Sequence, residues 1–357
     1  MQSLPFFTSP AERVSWARQR YFGDGHRPSG LVSEPVFQSW QRCLTAGLRP
    51  QDGPDFDPVT RARVSHALAR NHALLEAAGP QFDELDRLLC ATGCRTVLVD
   101  CRGIVLRATP RPTGGRALLD VATRVGVQLD EARCGSTAPS VSAFSGEASA
   151  VSGGEHFFGL LQQVHCVAAP IHNRDGALVG VLDLSIEGRP FGFDALGIVK
   201  LAATAIENRL AAAPTRDHLR LAFQIVPAML GTPLEALALV DGRGTVVWAN
   251  GAAVSLLGAR GGSAEARFGL TVEQLLAHGP EPALHRLPGG LAVWLAVQAP
   301  GAEHTPAPSA LRDVDRRHIE ATIAACRGNI AAAARRLGVS RGLLYRRLRE
   351  WSLSSGS

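Results

Sequence analysis

Apolar positions change their period along this chain, and the changes mark out its elements. Trp16 to Tyr21 and Val36 to Thr45 have helical spacing, the second closed by Gly47 and Pro50. Val59, Val64, Ala67, Leu68, Leu74 and Leu75 predict a helix within Pro58 to Ala78, ended by Gly79-Pro80. Phe82, Leu85, Leu88 and Leu89 start the next helix. The texture then becomes β-type: Thr96 to Val99, a turn at Asp100-Cys-Arg-Gly103, and Ile104 to Leu106 predict a hairpin. Cys166 to Ile171 and Leu178 to Leu184 predict a second, because Asp175-Gly176 between two apolar runs supplies the positive φ of a tight turn. Phe193 to Ala213 is again helical.

A smaller α/β pattern comes next. Leu234 to Leu239 and Val246 to Trp248 flank a turn at Asp241-Gly-Arg-Gly244, and Asn250 to Leu257 predicts a short helix. Strand signals return at Leu291 to Val297, with loops expected at Gly261-Gly262 and from Pro280 to Gly290. Ala299 to Pro308, with three prolines, predicts a linker. The expected organisation is α+β and multidomain: a helical region over 1–81, an antiparallel α/β domain over 82–213, a second α/β domain over 214–298, a linker over 299–310 and an all-α unit over 311–357.

Composition narrows the class. In 357 residues 46% are hydrophobic and 19% charged, which excludes a wholly disordered chain and a dominant coiled coil. No apolar run reaches the ~18 residues of a membrane span, and Pro5, Pro10, Glu12, Arg13, Arg18, Arg20 and Asp24 leave no room for a secretory h-region. The expectation is a cytoplasmic protein with no membrane partner. Seven cysteines (43, 90, 94, 101, 134, 166 and 326) read as free thiols. Cys90-x3-Cys94-x6-Cys101 lacks zinc-finger spacing, so no metal is expected there.

Charge is placed unevenly. The formal net charge is +5, and residues 311–357 alone hold ten Arg against four acids. A basic terminal module on a near-neutral body is the electrostatic footprint of nucleic-acid binding. Its pattern supports this. After a helix over Leu311 to Cys326, Asn329 is a good N-cap for Ile330 to Leu337, Gly338 ends that helix, and Ser340 caps Arg341 to Glu350. The result is a helix-turn-helix. In its second helix Leu344 and Leu348 point inward with Leu337 and Val339, whereas Gly342, Tyr345, Arg346 and Arg349 fall away from that face. Arg341 stands at the amino end, where a recognition helix meets base edges, and Arg346 and Arg347 have the reach for phosphate or guanine.

Asn329-x3-Ala333-Ala334-x2-Leu337-Gly338-Val339-Ser340-Arg341-x2-Leu344-Tyr345-Arg346-Arg347-Leu348 resembles the Fis-type DNA-binding domain. The resemblance implies a homodimer on double-stranded DNA, paired largely through about 311–325. Ala331 and Ala332 replace the polar phosphate contacts of some members. The body resembles the GAF sensor of acetoin-catabolism-regulator (AcoR) type activators. The resembling residues are Ser39-Trp40-x-Arg42-Cys43, Gly47-Leu48, Gly135-Ser-Thr-Ala138, Glu155-His-Phe157, Cys166 to Ile171 and Gly180-Val-Leu-Asp183. That family usually reads Gly-Thr-Asn-Ala where this chain has Gly135-Ser136-Thr137-Ala138. Residues 220–298, from Leu237-x-Leu-Val-Asp241 through Asn250-x-Ala-Ala, resemble a PAS domain.

The resemblance implies a regulator that binds DNA and a small-molecule effector, with RNA polymerase as a further partner. Most AcoR-type activators carry a AAA+ ATPase before the tail. Here Lys200 is the only lysine and lies in an apolar helix, so no Walker A Gly-x4-Gly-Lys-Ser/Thr loop exists. Cys134, Thr137, His156, Phe157, Phe158, His165 and Cys166 are the candidate effector residues, with His156 or His165 open as a haem ligand. Two alternatives stand beside this reading. One is a thiol-dependent GAF-fold enzyme using Cys90, Cys94, Cys134 or Cys166. The other is a partner that dimerises with a full-length AAA+ activator without binding DNA.

Overall fold

The structure is a computed structural model that describes residues 7–110, 117–211, 217–300 and 329–330. Two compact units divide the chain at Glu303/His304, and the first contains both sheets.

The N-terminal helices are α1 (Pro10–Arg18), continued by a π-helical turn over Gln19–Gly23, α2 (Glu34–Thr45), α3 (Arg61–Arg70) and α4 (His72–Leu89). Gly79-Pro80 does not end a helix, contrary to the sequence expectation: α4 runs through it. Proline removes one helical N–H, and the Arg209 guanidinium donates to the Ala77 carbonyl and the Gln81 Oε1 across that turn. The break falls instead at Asn71, whose side-chain amide donates to the Ala67 carbonyl at 2.8 Å.

The first sheet comprises β1 (Arg95–Asp100), β2 (Val105–Ala108), β3 (Ser149–Ser152), β4 (Val164–His172) and β5 (Leu178–Glu187). Its order is β2-β1-β5-β4-β3, and every neighbouring pair is antiparallel. The hairpin expected at Asp175-Gly176 is present: Gly176 has φ +73° and its N–H donates to the Asn173 carbonyl. Because side chains alternate across a strand, the sheet buries two faces. Leu98, Val167, Ala169, Leu182 and Leu184 pack on α3, α4 and α8 (Ala195–Ala211). Val97, Val99, Cys166, Ala168 and Val181 pack on α2 and on three short helices, α5 (Ala117–Ala122), α6 (Glu131–Cys134) and α7 (Ala138–Ser145).

The second sheet contains β6 (His218–Gln224), β7 (Ala236–Asp241), β8 (Thr245–Ala249), β9 (Gly262–Ser263), β10 (Ala283–Arg286) and β11 (Ala292–Gln298), ordered β10-β11-β6-β7-β8-β9. Its inner face packs Leu221, Phe223 and Ala238 on α9 (Gly251–Leu257), α10 (Ala264–Phe268) and α11 (Val272–His278). Two expected loops contain strands. β10 lies within 280–290, an edge strand whose exposed residues carry no burial alternation, and Gly262-Ser263 pairs with β8.

Candidate functional site

On the α7 side of the first sheet lies a cavity of about 40 Å³. Among its walls are Thr137, His156 and Cys166, together with Asp183 and Ser185. Each is placed by a local rule. Cys166 is on the inward-facing set of β4, and Asp183 and Ser185 continue from Val181 on the same face of β5. Thr137 caps α7: its Oγ1 accepts the Ser140 N–H at 3.3 Å while the Ser140 Oγ accepts the Thr137 N–H at 3.0 Å. Gly135 precedes it with φ +64°, and a Cβ there would meet Phe157 at 2.9 Å and Phe158 at 3.2 Å. The Gly-Ser-Thr-Ala stretch is therefore a backbone turn that only glycine permits, leading into a capped helix.

The polar wall is a chain of contacts. His156 Nδ1 lies 3.1 Å from the Gly153 carbonyl and its Nε2 lies 3.6 Å from Cys166 Sγ. Cys166 Sγ is 3.1 Å from Ser185 Oγ, which is 2.6 Å from Asp183 Oδ2. Ser185 has a single hydroxyl proton, and the shorter contact to the carboxyl takes it. Nδ1–H of His156 then donates to Gly153, and the thiol proton of Cys166 is left for Nε2. Burial lowers the His156 pKa to about 4, so the imidazole is neutral. Burial raises Asp183 to about 7 against the opposing Ser185 hydrogen bond. Among the described residues, Asp183 Oδ1 is buried without a hydrogen-bond partner.

The remaining candidates lie elsewhere. Cys134, Phe157 and Phe158 are buried in the same apolar cluster but do not border the cavity. Phe157 stacks edge-on against Phe22 and Phe158. His165 alternates to the opposite side of β4 from Cys166 and is half-buried. Asp183 and Ser185 are site residues that sequence reasoning does not single out, although polar residues on the inward period of an apolar strand are the available signal. A haem does not fit a 40 Å³ space, and both His156 nitrogens are engaged. Among the described residues no group of three or more His, Cys, Asp or Glu is placed to hold a metal.

At three of the four candidate thiols the surroundings disfavour a nucleophile, while Cys90 is exposed. Burial pushes Cys94, Cys134 and Cys166 up, and Cys43 up to about 11.

The Ser39-Trp40-x-Arg42-Cys43 stretch serves the same site from outside. Arg42 binds both oxygens of Glu131 at 2.6 and 2.7 Å. Ser39 Oγ reaches Glu131 Oε1 and Ser136 Oγ, both at 2.6 Å. The Trp40 indole N–H donates to the Glu155 carbonyl at 2.7 Å. Arg18 donates to the carbonyls of Gly154, His156 and Phe157 at 2.8, 2.5 and 2.9 Å. Its guanidinium lies over the Phe22 ring, 4.9 Å from the centroid. These contacts fix the 153–158 segment that carries His156.

Of the expected DNA-contacting residues, Asn329 is exposed and directly precedes the helical Ile330. Ser340, Arg341, Gly342, Tyr345, Arg346, Arg347 and Arg349 lie outside the described residues.

Residues 310–351 match the family model for bacterial regulatory proteins of the Fis family. The chain is similar to the acetoin dehydrogenase operon transcriptional activator AcoR of Bacillus subtilis, 28% identical over 218 residues, covering 59% of this chain and 35% of that protein. It is similar to the acetoin catabolism regulatory protein of Cupriavidus necator, 26% identical over 62% of this chain and 34% of that protein. A signal-transduction and transcriptional-control protein of Clostridium beijerinckii is 24% identical over 63% of this chain and 36% of its own length. Among solved structures, a chain from the E. coli DhaR(N)–DhaL complex aligns over 75% of this chain and 100% of its own, with TM-score 0.47 and 16% identity. The matches span about a third of the length of the curated relatives. The chain thus resembles AcoR-type regulators and carries a Fis-type helix-turn-helix segment.

Proposed function

We propose that this chain is a sequence-specific DNA-binding transcription regulator that senses a small molecule in its first α/β domain and works without ATPase activity. The observation that carries the reading is the Fis-family match at 310–351, on the segment that holds the chain's basic surplus. In this reading 82–213 is a GAF-like sensor on the helical region 1–81. Residues 214–298 form a PAS-like domain, 299–310 a linker, and 311–357 the DNA-binding unit. The unit works as a homodimer, with Asn329 and Ser340 as caps and Arg341, Gly342, Tyr345, Arg346, Arg347 and Arg349 on the DNA side. The relatives' names support the regulatory role, since they are activators and regulators of operons. Lys200, the only lysine, is exposed on α8 and follows Asp194 and Val199 where a Walker A lysine follows glycines, which supports the lack of ATPase action in this chain. The effector enters the cavity walled by Thr137, His156 and Cys166, and the DNA-bound dimer acts on RNA polymerase.

The test is binding of the full chain to DNA upstream of its own gene, against random DNA, over a salt series. Specific binding with a steep salt slope, relaxed at one operator position by Arg341→Ala, is expected. Equal weak binding to both DNAs, unchanged by that substitution, would instead favour a partner that dimerises with an AAA+ activator.

A further inference from the structure

Asp183 is a carboxyl in a place where the surrounding protein gives it too little. It is 1% exposed, and its register partners across the sheet are Ala168 on β4 and Val97 on β1, neither with a side-chain donor. Ser185 satisfies Oδ2. Oδ1 receives nothing from the described residues. The donors of the polar wall are already committed: Thr137 Oγ1 to Ser140 Oγ at 3.1 Å, His156 Nδ1 to Gly153, and Ser185 to Asp183 itself. A buried polar atom without a partner is expensive to keep, and a folded chain retains one where something outside the chain completes it.

The rest of the cavity indicates the chemistry of that missing partner. The cavity lining also includes the apolar Phe56, Leu118, Leu119 and Leu161. The volume of about 40 Å³ corresponds to roughly three water-sized positions. A molecule of a few carbons with one polar end fits such a mixed lining. A cation fits it poorly, because a second charge would be desolvated along with the carboxyl, and the Arg18 guanidinium already lies behind the His156 carbonyl.

We propose that Asp183 is the specificity-determining residue of this cavity, its free Oδ1 accepting a hydrogen bond from a small, mostly aliphatic, uncharged occupant. The assignment rests on the sensor reading above. Selection arises from polarity: an occupant that only accepts hydrogen bonds sets its oxygen against the carboxyl and leaves Oδ1 unmet, whereas a donor of the same shape completes it.

The experiment uses three probes of one shape with the full-length protein at about pH 8.5, where Asp183, held up at about 7, is ionised and Oδ1 can only accept: 2-propanol, acetone and isopropylammonium, with binding read by saturation-transfer NMR. The expected result is 2-propanol bound at least tenfold more tightly than acetone or isopropylammonium. In Asp183→Asn, whose amide can donate, acetone gains and the preference narrows or reverses. A measurement on the unmodified protein complements this: an infrared difference spectrum should show a carboxyl band that moves on adding 2-propanol and stays still on adding acetone. Ser185→Ala, which keeps the carboxyl, should retain the donor preference. Equal binding of acetone and 2-propanol, or a preference untouched by Asp183→Asn, overturns the role of Asp183 and leaves the sensor reading standing. Tighter binding of isopropylammonium overturns the uncharged occupant. If none of the probes binds any form of the protein, the cavity holds only water, and both the proposal and its use as the sensing site fall.

Discussion

Each of the two sheets contains the same hairpin. β1 turns into β2 through Asp100-Cys-Arg-Gly103, and β7 turns into β8 through Asp241-Gly-Arg-Gly244. Asp100 Oδ1 accepts the N–H groups of Arg102 and Ile104, each at 2.9 Å. Asp241 Oδ1 accepts those of Arg243 and Thr245 at 2.9 and 2.8 Å. Both hairpins shift register one residue pair inside the turn, at Leu98/Val99 and Leu239/Val240. The surroundings of the two turns differ. Asp100 is fully buried and its second oxygen pairs with Arg70 of α3 at 2.8 Å, so the turn is tied into the helices that cover the first sheet. Asp241 lies towards solvent, and both of its backbone donors belong to its own loop. The same contrast holds inside: the first sheet buries Asp183, Ser185, Cys166 and His156 around a cavity, while the inner face of the second is Leu219, Leu221, Phe223, Ala238 and Val240 packed on short helices. Equal local geometry thus serves a sheet that carries a polar site and one that is closed by apolar packing.

The largest expected effect that would break this comparison is at Asp100. Asp100→Ala removes the one oxygen that accepts both turn N–H groups, in a fully buried position, and the partner of Arg70, whose side chain is 34% exposed and can turn to water. Leaving the buried turn N–H groups unmet costs about 2 kcal/mol. Chemical denaturation of the full chain measures it; a loss no larger than that of Asp241→Ala would show that burial does not separate the two turns.

Asp183→Asn should act in the opposite direction. The folded chain holds this carboxyl up at about 7 against an ordinary 3.8, so it binds its proton more tightly folded than unfolded. Its contribution is fully present below about pH 4 and is lost as the pH rises towards 7. His156 runs the other way: its pKa is lowered from 6.5 to about 4, so its contribution is present above about pH 6.5 and is lost as the pH falls. The two slopes oppose each other in the wild type. The difference between Asp183→Asn and wild type isolates the carboxyl. The variant is expected to match wild type near pH 4 and to be more stable by about 2 kcal/mol at pH 8. Urea midpoints at the two pH values decide it. A variant less stable at pH 8 would mean that the carboxylate, not the acid, is the favoured buried form. A stabilising substitution at a binding residue is what a site maintained at the expense of stability should give.

The legibility of these features in the sequence depends on what burial writes into residue order. The strands 95–106 and 164–187 show through, because their runs are long, apolar and separated by Asp-Gly or Asp-x-x-Gly turns. β6 escapes a reading by apolar runs, although His218-Leu-Arg-Leu-Ala-Phe-Gln224 alternates with Leu219, Leu221 and Phe223 inside. Arg220 breaks its apolar look, and only the fold reveals Glu235 waiting for it at 2.8 Å. Gly79-Pro80 misleads because a helix stop is a local signal, while the Arg209 contacts across that turn come from a residue more than a hundred positions away. Thr137, His156 and Cys166 are reachable through motifs. Asp183 ends one of those motifs, yet its role depends on the lack of a donor, which no string of residues displays.

A smaller effect is expected where the two sheets meet. Asn250 is fully buried. Its Oδ1 caps α9 by accepting the Ala253 N–H at 2.7 Å, and its Nδ2 donates to the Glu235 carbonyl at 2.8 Å and to Asn208 Oδ1 on α8 at 2.6 Å. Asn208→Ala removes only the bond to the helix of the first sheet, and should cost about 1 kcal/mol. A double-mutant cycle with Asn250→Ala measures the coupling directly. A coupling near zero would make the two sheets energetically independent at this point.

The smallest effect belongs to Asp241. Its carboxyl is held below the ordinary 3.8, first by the Thr245 backbone N–H and further by the Arg243 N–H and guanidinium. The stabilisation is therefore present above the ordinary carboxylate pKa and is lost as the pH falls through the lowered one. The group is solvent-exposed, so water replaces much of what the loop provides, and salt screens the Arg243 charge. Asp241→Asn keeps the side-chain acceptor for both N–H groups and should move the unfolding midpoint least of these substitutions. Asp241→Ala should move it slightly more, and only above about pH 4, where the carboxylate exists. A pH-independent loss from Asp241→Ala would place the whole effect in turn geometry. A loss as large as that of Asp100→Ala would mean that the hairpin itself, and not its burial against α3, sets the stability of both sheets.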